Sequence, residues 1–98
     1  MQCAIHKLVD SNELVCRVQS ELGVETSYIL CAPVVTQQSW RVVTPKLHIP
    51  CTVGDESHLI LMSQMIALPA YQIGVVVGDA SARRDDVVAA VDLLVSGF

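Results

Sequence analysis

The chain has 98 residues, which makes one domain, 1–98, with a core of modest size. It is 52% hydrophobic and 16% charged, which excludes a disordered chain. Its net charge of −4 argues against direct nucleic-acid binding, because phosphates are held by clustered cations and the one adjacent basic pair, Arg83-Arg84, runs straight into Asp85-Asp86.

A small domain this apolar is expected to cover part of its surface in a twofold homodimer. The longest apolar runs, such as IGVVVG at 73–78, fall far short of the ~20 residues a membrane span needs. The opening MQCAIHKLVD has neither a basic n-region nor a cleavable h-region, so a cytoplasmic protein is expected.

In chain order, residues 2–9 and 13–19 are β-rich runs separated by the turn-forming Asp10-Ser11-Asn12, a hairpin pattern. A third run spans 27–35, where Pro33 lacks a backbone donor and predicts a strand end or edge. Residues 40–43 and 47–53 follow as strands broken at Thr44-Pro45. Gly54-Asp55-Glu56 then turns the chain into 57–65, and Pro69 and Gly74 punctuate what comes next. The last stretch changes period: Val87, Val88, Val91, Leu94 and Val95 recur at helical spacing. Ser81 is the expected N-cap, and Asp85 and Asp86 place negative charge near the positive end of the helix dipole. A sheet first and one helix last predicts an α+β class, mainly β, with the helix laid on the sheet or across a dimer interface.

The four cysteines, Cys3, Cys16, Cys31 and Cys51, lie far apart inside apolar stretches, where a thiol acts as a small buried hydrophobe. No close ligand pair arises even when His6, His48 and His58 are added, so no metal and no cofactor are expected. Asp55 and Glu56, with His58 nearby, are the only acid–base candidates, and adjacent acids in a turn are more commonly just solvated. Trp40 and Tyr71 are core or interface aromatics. No catalytic constellation stands out, and the expectation is a protein that is not an enzyme.

Met1-Gln2 opens a strand, VQS at 18–20 closes the first hairpin, and VGDES at 53–57 follows a proline-containing strand. Met65, Pro69 and Ile73-Gly74 come next. Asp79, Ser81, Arg83 and Asp86 then lead into the terminal helix, and Gly97 precedes an apolar last residue. In order and spacing these stretches together resemble the CcdB family of toxins. The resemblance implies a curved, small barrel-like antiparallel sheet, a second small sheet and one carboxy-terminal helix in a symmetric dimer. It also implies the toxin of a type II toxin–antitoxin system, of the kind that serves plasmid maintenance. Such a toxin binds the A subunit of DNA gyrase and traps the cleaved-DNA complex. A CcdA-like antitoxin neutralises it, and the pair regulates transcription of its own operon.

By the same resemblance the gyrase-binding residues are Gly97, Phe98, Ser96, Val95, Asp92 and Leu22, while the antitoxin-binding residues are not assigned. The family tail typically reads Trp-Gly-Ile. Here Gly97 matches, Phe98 replaces isoleucine, and Ser96 stands in the place of tryptophan. Val95 likewise replaces an aromatic, and Leu22-Gly23 replaces a hydrophobic pair of the first-hairpin region. Loss of a hot-spot tryptophan costs ~2–4 kcal/mol, or roughly 30- to 1,000-fold in affinity. Two alternatives accompany this reading. One is a non-toxic decoy that binds antitoxin. The other is an mRNA-cleaving toxin of similar fold, with Arg17 or Arg41 holding phosphate.

Overall fold

The first hairpin forms where the residue pattern places it. In the computed structural model, which describes residues 1–97, β1 (Ala4–Leu8) and β2 (Leu14–Arg17) pair antiparallel, with Ile5 opposite Cys16. The Asp10-Ser11-Asn12 triplet lies in the connection. Asp10 takes a left-handed φ of 68°, which Asp tolerates better than most residues, and the Leu8 N–H donates to the Glu13 carbonyl at 2.9 Å.

The third strand, β3 (Tyr28–Thr36), pairs with β2 on one side and on the other takes two partners in turn. Tyr28–Cys31 face β6 (Ile66–Pro69), and Val34–Thr36 face β5 (Glu56–Leu61). Ala32 and Pro33 fall between these two partners. Pro33 is therefore inside β3 rather than at its end, at a point where the outer ladder changes partner and a missing N–H costs least. β4 (His48–Val53) forms a hairpin with β5 around Gly54, whose φ is 61°. β7 (Ile73–Asp79) pairs with β1, completing one seven-stranded sheet in the order β4-β5-β3-β2-β1-β7, with β6 branching from β3.

Two expectations about this sheet are corrected. It is not closed into a barrel: Val53 Cγ1 lies 3.8 Å from where a β-carbon of Gly78 would stand, but no backbone ladder joins β4 to β7 among the described residues. Nor do the described residues form a separate second sheet, because the β4–β5 hairpin hydrogen-bonds onto β3 and stays part of the same sheet.

Other segments depart from the residue-level reading. Residues 40–43 are not a strand: after a 3₁₀ turn over Gln37–Ser39 the chain loops to β4 without a ladder partner, so their β propensity finds nothing to pair with. The run at 57–65 stops as a strand at Leu61 and continues as a 3₁₀ turn, Met62–Gln64, that buries Met62.

The core lies mostly under the helix, α1 (Arg84–Ser96). Ile5, Cys16, Ala32, Ile49, Ile60 and Met62 pack there with Val87 and Ala90. A smaller cluster of Val15, Ile29 and Cys31 packs with Leu8, Leu68 and Ile73. Ser81 is not the cap of α1. It opens a 3₁₀ turn, Ser81–Arg83, and donates its own N–H to Asp79 Oδ1 at 2.8 Å, so Asp79 caps the approach to the helix. Asp85 and Asp86 do occupy the first turn. All four cysteines are free thiols: Cys3, Cys16 and Cys31 are buried and Cys51 is half-buried.

Candidate functional site

The helix turns only part of its apolar stripe inward. Val87 and Ala90 are buried and Val91 is half-buried against the core, whereas Val88, Leu94 and Val95 are exposed. The reason is geometric. An α-helix advances 100° per residue, so one that rests on a sheet through Val87, Ala90 and Val91 carries Val88 and Val95 away from it. Val95 is 78% exposed, and Asp92 and Ser96 are exposed with it.

Gly97 ends the helix. It adopts the left-handed conformation, φ 76° and ψ 17°, and its N–H donates to the Leu93 carbonyl at 2.9 Å. A β-carbon there would meet nothing within 4 Å, so the glycine is required by its backbone angle and not by space. The cap therefore fixes the direction in which the chain leaves the helix. Phe98 lies outside the described residues.

Leu22 stands on a different tip. Gly23, at φ 73°, turns the loop that carries Leu22, 56% exposed, and Val24, 72% exposed. The Gln19 side chain clamps the base of this loop: Nε2 donates to Thr26 Oγ1 at 3.0 Å, and Oε1 accepts the Leu30 N–H at 3.2 Å. The Met1 ammonium pairs with Glu21 at 2.8 Å, which holds that carboxyl below its usual range. Gln2 then links Val18 and Arg84, donating through Nε2 to the Val18 carbonyl at 3.0 Å and accepting the Arg84 Nε–H through Oε1 at 2.9 Å. The Leu22 loop is thus tied to the first residue of α1. The tail leaves the last residue of the same helix. Asp92, Val95, Ser96 and Gly97 lie together at that end of α1, while Leu22 stands on a separate loop whose base is tied to the helix start.

The acid–base candidates do not form a catalytic set. Asp55 and Glu56 are exposed in the β4–β5 turn. His58 is buried, with Nδ1 3.0 Å from the Glu56 carbonyl and Nε2 3.8 Å from the Glu56 carboxylate, too long for a hydrogen bond. Arg17 donates to the Gln19 carbonyl at 3.2 Å, which occupies it structurally, and Arg41 is exposed on the loop before β4. The thiols are poor nucleophiles. Burial, reinforced by the neighbouring thiols, pushes Cys16 up to about 12, and burial pushes Cys31 to about 11. No group of three His, Cys, Asp or Glu side chains fit for a metal ion is found among the described residues. No helix there is long and apolar enough to cross a membrane. The aromatics left open divide: Trp40 is half-buried, edge-on to His48 with ring centroids 5.8 Å apart, and Tyr71 is 80% exposed.

The described residues thus form a mainly antiparallel sheet bearing one terminal helix, with exposed apolar side chains at the helix end. The chain belongs to the CcdB protein family, which it matches over residues 4–97. The toxins of this family poison gyrase without catalysing a reaction of their own. No curated protein matches the chain.

Proposed function

We propose that this protein is the toxin of a type II toxin–antitoxin pair, that it acts in the cytoplasm on the A subunit of DNA gyrase, and that its tail traps the cleaved-DNA complex. The family match over residues 4–97 carries this reading. The tail geometry supports it. Val95 and Ser96 stand exposed on the last helical turn, and the Gly97 cap directs the chain onward to Phe98. Phe98 supplies the large apolar side chain that Ser96 does not, and the exposed Leu22–Val24 tip is a second contact.

A homodimer belongs to the same proposal. Val75, Val76 and Val77 are exposed in succession on the edge strand β7, and Leu94 and Val95 are exposed on the helix. A twofold dimer presents two tails to a twofold target. A CcdA-like antitoxin is the neutralising partner.

Ser96 favours a second reading, an antitoxin-binding decoy that no longer grips gyrase. Expression in a bacterial host separates the two. The toxin reading predicts growth arrest with linear DNA accumulating, relieved by the antitoxin. Normal growth with the folded protein present, in hosts that include the native one, leaves only the decoy.

A further inference from the structure

A groove of about 390 Å³ runs between the edge strand β4 and the helix. Its apolar lining comes from Ile49 and Pro50 of β4 and from Ala89 and Leu93 of α1. Lys46 and Arg83 are its two cations and Asp86 its one carboxylate. In a chain with six Lys and Arg against ten Asp and Glu, a groove with two cations to one anion reverses the prevailing sign. We propose that this groove docks an acidic peptide segment of a protein partner, its carboxylates meeting Lys46 and Arg83 and an aliphatic side chain resting on Pro50 and Leu93.

Arg83 keeps part of its guanidinium open. Its buried Nε lies 3.1 Å from Asp86 Oδ2, but the side chain as a whole is 42% exposed, so its accessible end can meet a partner carboxylate in a charge-assisted contact. Lys46 is held at the groove by a left-handed backbone, φ 74°, that a lysine rarely adopts. Its turn is locked from behind: His48 Nδ1 accepts the Thr44 N–H at 2.8 Å, and the His48 N–H donates to the Thr44 carbonyl at 2.9 Å. With Nδ1 an acceptor, the ring proton sits on Nε2, 3.3 Å from Ser63 Oγ, so His48 walls the groove and spends both nitrogens on the fold. Pro50 has no N–H to offer an added strand, which weakens strand addition at this edge and favours recognition through side chains. Asp86 in the groove and the net charge of −4 disfavour a nucleic-acid occupant.

The sole tryptophan, Trp40, lies edge-on to His48 and reports on the groove by fluorescence. The full-length protein is titrated at low salt with the blocked peptide acetyl-Glu-Leu-Glu-Asp-Leu-amide, and with the same peptide carrying glutamine and asparagine in place of its acids. We expect saturable binding of the acidic peptide, at least tenfold weaker binding of the amide version, and weakening as salt rises. Lys46→Glu is expected to weaken binding by tenfold or more. Lys46→Gly relieves the left-handed backbone, so it should bind as weakly as Lys46→Glu with no loss of thermal stability. Equal binding of both peptides, no saturable signal, or full affinity in Lys46→Gly overturns the proposal. So does a short oligonucleotide that outcompetes the acidic peptide, or a change of oligomeric state in Lys46→Glu that marks the groove as a contact between copies. The gyrase reading is tested separately, because poisoning by Lys46→Gly is expected to be unchanged.

Discussion

Restoring the aromatic that the tail lacks is the sharpest perturbation available. Ser96 is the last residue of α1 and is exposed, so Ser96→Trp displaces no packed neighbour, and serine and tryptophan have similar helix propensities. The folded state should therefore change by no more than ~0.5 kcal/mol. At a partner surface the outcome differs. A tryptophan buries ~150–250 Å². At ~25 cal/mol per Å² that is about 4–6 kcal/mol before the cost of immobilising the ring and of imperfect fit, which leaves the ~2–4 kcal/mol of a typical hot spot. The expected gain is roughly 30- to 1,000-fold in affinity for the gyrase A subunit. Titration calorimetry with the purified subunit measures it, with a thermal melt to verify the fold. An unchanged affinity in a folded Ser96→Trp protein would refute the assignment of this turn to the contact.

Further outcomes follow from the same geometry. Gly97→Ala meets no neighbour but must take a left-handed φ, so it should cost ~1 kcal/mol in urea unfolding and reduce gyrase binding by more than that, since the tail direction changes. Gly74→Ala places a β-carbon 2.5 Å from the Lys7 carbonyl, a backbone atom that cannot swing away, and should destabilise by about 1–3 kcal/mol in the same assay through the β1–β7 ladder. Native Cys3, Cys16 and Cys31 should resist iodoacetamide at pH 8 and react only after denaturation, as mass spectrometry would show; prompt native labelling of Cys16 contradicts its burial. Glu21 is lowered from 4.5 by the Met1 ammonium, so its contribution is present above that pH and is lost as the pH falls through the lowered value. Glu21→Gln should accordingly lower the urea midpoint slightly at neutral pH, leave the most acidic region unchanged and so flatten the limb between them, the effect being small because the pair is exposed.

What could be read ahead of the structure depended on how local its cause was. The Asp10-Ser11-Asn12 hairpin, the Gly54 turn and the terminal helix each rest on neighbouring residues, and each formed. The strand at Ile73–Asp79 was missed because Val75, Val76 and Val77 are all exposed on an edge, which erases the alternation that marks a half-buried strand. β6 is only four residues long and ends in a proline. Residues 40–43 looked like a strand because propensity says nothing about whether a partner is present. A single sheet in place of two depends on where β5 meets β3, a contact across more than twenty residues. At the site, a glycine just past a helical stripe signalled the cap. The inward face of the helix did not follow from its valines, because Ala90 faces the core and Val95 does not. The anchoring of the Leu22 loop to Arg84 runs through Gln2, which no sequence pattern distinguishes.

The central claim is that the tail after α1 is what gyrase feels. Purified gyrase from the native host, incubated with supercoiled DNA, ATP and either the full chain or a chain lacking residues 96–98, tests it most directly. The account predicts linear DNA trapped by the full chain and none by the shortened one, with both proteins folded. Equal trapping by the two, or none by the full chain, would contradict it.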